Sequence, residues 1–65
     1  MSMRWDPAML TYRCYLLDGS DRIKSFIEVR AFSDAEAIAY ARQHAQVHRS
    51  PFELWRGRQL ICLET

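Results

Sequence analysis

Apolar residues follow two different periods along this chain, and one stretch has the period of a helix. Within residues 33–47, small and apolar side chains recur on one helical stripe: Ala37, Ile38, Ala41 and Ala45. Ser33 and Glu36 form a capping box, in which the hydroxyl accepts from the Glu36 amide and the carboxylate reaches back to the Ser33 amide. The pattern predicts an amphipathic helix whose alanine stripe lies close to the layer that it covers.

The two segments before this helix have the period of β-strands. Residues 11–17 are rich in aromatic and apolar side chains, residues 18–21 (Asp-Gly-Ser-Asp) are typical turn formers, and residues 22–32 alternate strictly. We therefore expect a β-hairpin. If the four turn residues form the loop, three cross-strand pairs face the same side: Leu16 with Ile23, Cys14 with Ser25, and Tyr12 with Ile27.

Two more strands are predicted after the helix, at residues 52–55 and 59–63. A three-residue loop with Gly57 in the left-handed region pairs Leu54 with Leu60 and Phe52 with Cys62, whereas a two-residue loop pairs Leu54 with Gln59. The first register fits the apolar pattern better. The element order β-β-α-β-β predicts an α+β fold, a four-stranded, mainly antiparallel sheet with the helix on one face. The pattern leaves the strand order open.

The chain divides into a short leader and one domain. Residues 1–10 show no period and are expected to form a flexible N-terminal leader, while residues 11–65 form the single β-β-α-β-β domain. A chain of 65 residues buries only about 60% of the surface that its unfolded form exposes. We therefore expect marginal stability for an isolated monomer.

The sheet face away from the helix has a surplus of apolar surface. One helix covers one side of a sheet, and the strand alternation places six large side chains on the other side: Tyr15, Leu17, Phe26, Trp55, Ile61 and Leu63. Burying four or more of them at about 1.5–3 kcal/mol each would matter greatly to so small a domain. The pattern therefore predicts a homodimer that pairs through this face. The alternatives are that the leader folds back over the face or that strand twist gives one shared core.

A smaller apolar patch is predicted on the helix, nearly opposite its alanine stripe. It consists of Tyr40, Gln43 and Val47. An unknown protein partner would use such residues, and so would an exchange of the helix or a hairpin between two chains. The sequence does not separate these possibilities.

Charge argues against a general affinity for nucleic acid or acidic lipid. Nine Lys and Arg residues against eight Asp and Glu residues give a formal net charge of +1. Basic and aromatic side chains nevertheless interleave on the second sheet face, as in sheets that stack single-stranded bases: Arg13, Arg22, Lys24 and Arg30 with Tyr15, Phe26 and Trp55. Glu28 and Glu53 on the same face oppose this interpretation. A single-stranded nucleic-acid-binding module is therefore the alternative function.

The sequence offers little for catalysis or for cofactors. His44 and His48 have the spacing of two metal ligands on a helix, but no acidic residue accompanies them, and we expect them to interact with the helix dipole instead. The two glycines cannot build a phosphate cradle, and no nucleophile elbow is present. We therefore predict no enzyme activity, no metal and no cofactor.

The cysteines and the N-terminal residues indicate the cellular compartment in which the protein is expected. Cys14 and Cys62 are two cysteines far apart in a chain that shows no signal-peptide pattern, which favours buried thiols in a reducing cytoplasm over a single disulfide. The longest apolar runs are too short to span a membrane.

A set of scattered positions resembles a group of short uncharacterised proteins of Alphaproteobacteria. The residues that carry the resemblance are Tyr12, Tyr15, Leu17, Asp18, Asp21, Arg22, Ile23, Asp34, Ala35, Glu36, Ala37, Glu53, Trp55 and Gly57. They cover about residues 11–63. The resemblance implies a bacterial cytosolic protein and carries over no catalytic residue. We expect a non-catalytic homodimeric interaction or regulatory module.

Overall fold

The computed structural model describes residues 9–65, and over that range it has four antiparallel strands in one sheet and a single helix. The elements are β1 (Leu10–Leu17), β2 (Ile23–Ala31), α1 (Asp34–His48), β3 (Phe52–Arg56) and β4 (Gln59–Glu64). The predicted α+β fold with the order β-β-α-β-β is confirmed. The predicted leader lies outside the described residues except for Met9 and Leu10, and Leu10 already belongs to β1.

The strands are arranged in the order β2-β1-β3-β4, with each neighbour antiparallel. The two hairpins therefore join through β1 and β3, and β2 and β4 are the edges. Within the described part of the chain, no helix is long and apolar enough to cross a membrane.

The helix begins with the predicted capping box, with one difference in its partner. Ser33 is extended (φ −153°, ψ 162°), and its hydroxyl accepts from the Glu36 amide at 3.1 Å. The Glu36 carboxylate accepts from the Phe32 amide at 2.7 Å, one residue before the expected donor. Arg49 ends the helix in the left-handed region (φ 52°, ψ 46°), where its amide donates to the Ala45 and Gln46 carbonyls.

The core lies between α1 and one face of the sheet, which we call the core face. Its buried residues are Tyr12, Cys14, Leu16, Val29, Ala31, Ala37, Ala41, Ala45, Phe52 and Leu54. The three alanines are the buried residues of α1, as the stripe predicts, and Ile38 packs beside them. Because alanine has a short side chain, the helix lies close to the sheet.

The first hairpin has a register two residues away from the predicted one. The Asp18 amide donates to the Arg22 carbonyl, so residues 19–21 form the loop instead of the four residues expected. This change shifts the register by one residue. A bulge opposite Leu16 and Leu17 leaves Lys24 without a cross-strand partner, and it shifts the register by a second residue. Three pairs are observed on the core face: Leu16 with Ser25, Cys14 with Ile27, and Tyr12 with Val29. A shift of two keeps each side chain on its predicted face, except beyond the bulge, where Ile23 pairs with Leu17.

The second hairpin also differs from its predicted register by two residues. Gly57 is left-handed as expected (φ 61°), but the loop is Gly57 and Arg58 alone, because Arg56 pairs with Gln59. The shorter loop shifts the register by one residue, and a bulge at Ile61 shifts it by one more. The observed pairs are Leu54 with Cys62, Phe52 with Glu64, and Trp55 with Leu60.

Candidate functional site

The sheet face opposite the helix, which we call the outer face, carries a patch of large apolar side chains. This outer patch consists of Tyr15, Ile23, Phe26, Trp55, Leu60 and Leu63. Ile23, Phe26, Leu60 and Leu63 are between 44% and 57% exposed, and Tyr15 and Trp55 are half-buried. The structure thus brings together four of the six residues predicted for an interface on this face.

Two predicted members of that surface are covered by other parts of the chain, and two exposed members were missed. Leu17 is only 3% exposed, and Ile61 packs against the core cluster, so neither adds exposed apolar area. Ile23 and Leu60, predicted for the core face, join the outer patch instead. All four of these residues lie at or next to a bulge, where the strict alternation of the strand is interrupted.

Aromatic rings and a guanidinium group stack at the centre of the outer face. Tyr15 and Phe26 are cross-strand partners, with ring centroids 5.8 Å apart and planes tilted by 48°. The guanidinium carbon of Arg13 lies 4.7 Å from the centroid of the Phe26 ring. Aromatic pairs and cation–π contacts at these distances are favourable, so the three side chains hold each other in place.

Trp55 is oriented by its neighbour on the same strand. Its indole N–H donates to the Glu53 carboxylate at 2.9 Å. Trp55 pairs with Arg13 across the sheet, and Glu53 pairs with Tyr15. These residues border an open groove of about 410 Å³, lined by Tyr15, Ile23, Glu53, Trp55, Gly57 and Arg58. The hydrogen bond to Glu53 therefore orients an indole that lines the groove.

Charges of both signs surround the outer patch. Arg13 pairs with Glu28 across the β1–β2 ladder, and Arg30 lies 4.0 Å from Glu28. Glu53 adds a second carboxylate beside the aromatic cluster. The mixture does not present the uniformly positive surface on which a nucleic-acid backbone binds.

The three residues predicted for the helix patch, Tyr40, Gln43 and Val47, lie beside one another on the exposed side of α1. Tyr40 is 57% exposed, Val47 is 75% exposed, and both line a shallow depression of about 270 Å³ together with Gln43 and His44. The His44 ring also lies beside that of His48, with the two centroids 4.7 Å apart.

A polar cluster ties the start of the helix to the sheet. The hydroxyl of buried Tyr12 donates to the Asp34 carboxylate at 2.5 Å, and Arg56 donates to the same oxygen at 2.7 Å. Burial, and then the hydrogen bond to Asp34, raises the pKa of the Tyr12 phenol above its ordinary value of 10.0. A phenol held in its neutral form as a donor has a structural role here, because it fixes Asp34 at the first turn.

A groove of about 520 Å³ runs between the end of α1 and the end of β4. A bidentate ion pair between Arg42 and Glu64 bridges the helix and the strand there. The Arg42 guanidinium lowers the pKa of Glu64. Because Arg42 and Glu64 neutralise each other and join the helix to β4, we assign this ion pair a structural role.

The two thiols lie on the core face, separated by one strand. Cys14 and Cys62 both pair with Leu54, from opposite sides of β3. Two inter-strand spacings of about 4.8 Å exceed the reach of a disulfide, and both cysteines are free. Burial raises the pKa of Cys14 to about 11, with a smaller contribution from Cys62. The Cys14 thiol is therefore protonated at neutral pH and a poor nucleophile.

Stability is expected to fall as the pH rises from 9 towards about 11. The folded pKa of Cys14 is raised above its ordinary 9.0, so its contribution is complete below that value and is lost as the pH rises through about 11. Tyr12 acts in the same direction. Urea unfolding of the wild type and of Cys14→Val, at about pH 8 and about pH 10.5, measures the effect. The variant should lose less stability; an equal loss in both proteins would contradict the assignment.

Comparisons with other proteins give no relative: no family model, no curated protein and no solved structure matches this chain. Over residues 9–65, no three His, Cys, Asp or Glu side chains are grouped as metal ligands. The outer face is therefore the candidate site on physical grounds alone.

Proposed function

We propose that the protein is a non-catalytic homodimeric interaction module in which two copies pack their outer faces together across a twofold axis. One observation carries the proposal: the outer patch exposes four large apolar side chains on one face of a small sheet whose other face the helix covers. Contiguous apolar patches of this kind mark interfaces. A cytoplasmic location belongs to the same proposal, supported by the two free thiols.

The free energy of burying apolar surface favours a partner packed against the outer face. Full burial of a large apolar side chain contributes about 1.5–3 kcal/mol, and since the four exposed members of the outer patch are already about half buried, covering each one contributes roughly half of that. A chain of 65 residues has a total stability of roughly 3–10 kcal/mol. Covering Ile23, Phe26, Leu60 and Leu63 would therefore stabilise the protein by an amount comparable to its whole folding free energy.

The charges favour a second copy as the occupant. A twofold axis brings each surface against itself, so a patch with both signs of charge is self-complementary. Both signs are present on this face, with Arg13 and Arg30 beside Glu28 and Glu53, so opposite charges are available to face each other across the axis. A surface of one sign would repel its own copy, and this one does not.

Phe26→Asp is expected to convert the dimer into monomers, because it buries a carboxylate in an apolar contact. Phe32→Asp is the matched control, since Phe32 is similarly exposed (51% against 53%) but lies before the helix, outside the outer patch. Light scattering after gel filtration gives the mass, and circular dichroism reports folding. If Phe26→Asp unfolds on dissociation, Leu63→Asp on β4 repeats the test. A dimer that survives both substitutions would contradict the proposal.

Binding of single-stranded nucleic acid is the second candidate, favoured by the basic and aromatic side chains at the centre of the outer face. The contacts there oppose it. Arg13 already lies over Phe26, and the Trp55 indole is bound to Glu53. Fluorescence anisotropy with labelled single strands at low salt tests this function. Saturable binding that Arg13→Glu abolishes would favour it over the dimer.

A further inference from the structure

The last two turns of α1 bring two imidazoles side by side on the surface. His44 and His48 are one turn apart, and their ring centroids are separated by 4.7 Å. Two imidazoles that share one tetrahedral ion, with metal–nitrogen bonds of about 2.0–2.1 Å, have centroids roughly 5 Å apart. The observed spacing is close enough for one ion to bind a nitrogen of each ring, which departs from the expectation, drawn from the sequence, that the pair holds no metal.

We propose that His44 and His48 bind one late first-row divalent ion, of the class Cu²⁺, Ni²⁺ or Zn²⁺. Imidazole nitrogen suits these ions, whereas Mg²⁺ and Ca²⁺ require oxygen ligands that the pair does not provide. No third His, Cys, Asp or Glu of residues 9–65 joins the pair, so water or an added donor completes the coordination. Affinity should follow the Irving–Williams order, with Cu²⁺ above Ni²⁺ and Zn²⁺.

The surroundings of the pair favour a cation. His48 is in the last turn of α1, where the helix dipole gives the end a partial negative charge even though the Arg49 amide caps the Ala45 and Gln46 carbonyls. His48 is exposed and His44 is partly exposed, so an ion reaches both without unfolding. Cys14 does not compete, because it is fully buried under the helix.

The site is independent of the proposed dimer. His44 lines the same depression as Tyr40 and Val47, on a helix that covers the core face of the sheet and not the outer face. Metal binding is therefore measurable on a monomer or a dimer, and failure of one proposal leaves the other intact.

Isothermal titration calorimetry of the untagged chain with CuCl₂, NiCl₂ and ZnCl₂, at neutral pH in a non-coordinating buffer, tests the proposal. One ion per chain is expected. His44→Ala and His48→Ala should each weaken binding at least tenfold, because the second ligand of a chelate acts at high effective concentration. Circular dichroism checks that each variant keeps its helix.

A transposed variant separates chelation from binding by single histidines. Gln46→His combined with His48→Gln keeps two histidines but places them two residues apart, on different sides of the helix. It should bind as weakly as the single-alanine variants. Wild-type protein that shows no saturable binding, or a transposed variant that binds as tightly as wild type, would overturn the proposal.

Discussion

Leu54→Ala is expected to cost about 2–5 kcal/mol of unfolding free energy, the usual range for a leucine truncated in a core. Leu54 is fully buried on β3, between Cys14 of β1 and Cys62 of β4. It belongs to the core cluster between the helix and the sheet. The cost is large against the roughly 3–10 kcal/mol available to a chain of this length. The variant should therefore unfold at a much lower urea concentration than the wild type, as measured by urea denaturation followed by circular dichroism.

Val47→Ala is the control for that substitution. Val47 is also apolar but is 75% exposed on the helix, so its truncation should change stability by less than about 0.5 kcal/mol. If Leu54→Ala lowers the free energy of unfolding no more than Val47→Ala does, the position of Leu54 in the core is contradicted.

Asp34→Ala is expected to cost about 1–3 kcal/mol, because it leaves the buried Tyr12 hydroxyl without its acceptor. Tyr12 is 1% exposed, so water does not easily replace the carboxylate. Arg56 loses a partner at the same time. Asp34→Asn keeps an oxygen acceptor for the hydroxyl and should cost less. Chemical denaturation of both variants at neutral pH gives the comparison.

A double-mutant cycle isolates the hydrogen bond itself. Tyr12→Phe removes the hydroxyl, so Asp34→Ala in that background has no buried donor to strand. The two substitutions should be less costly together than the sum of their separate costs, by about 1 kcal/mol. Strict additivity would mean that the contact between Tyr12 and Asp34 contributes nothing to stability.

The helix was predictable because its signals are local. Ser33 and Glu36 are three residues apart, and the alanine stripe needs only the helical period. The Phe32 amide as the partner of Glu36 was not predictable, since that choice depends on how the chain leaves β2.

The faces of the strands were predictable, but the residues beside the bulges were not. Side chains alternate with period two, so an error of two residues in register leaves their faces unchanged. The bulges at Lys24 and Ile61 depend on how the strands pack, and no residue type marks them in the sequence. For that reason the outer patch gained Ile23 and Leu60.

The strand order had a signal that hydrophobic alternation does not use. Charged side chains are typical of edge strands, and β2 carries Lys24, Glu28 and Arg30. β1 buries four of its eight residues, as a strand with neighbours on both sides does. Charge distribution therefore marks β2 as an edge strand, but it does not order the second hairpin, because inner β3 carries Glu53 and Arg56 and edge β4 carries only Glu64.

Sedimentation equilibrium of the wild-type protein over a wide concentration range tests the homodimer most directly. The proposed pairing of outer faces predicts a mass of twice 7.7 kDa that persists on dilution. A folded protein that sediments at 7.7 kDa at every concentration would contradict it. Phe26 and the rest of the outer patch would then be free to bind a ligand or a different partner.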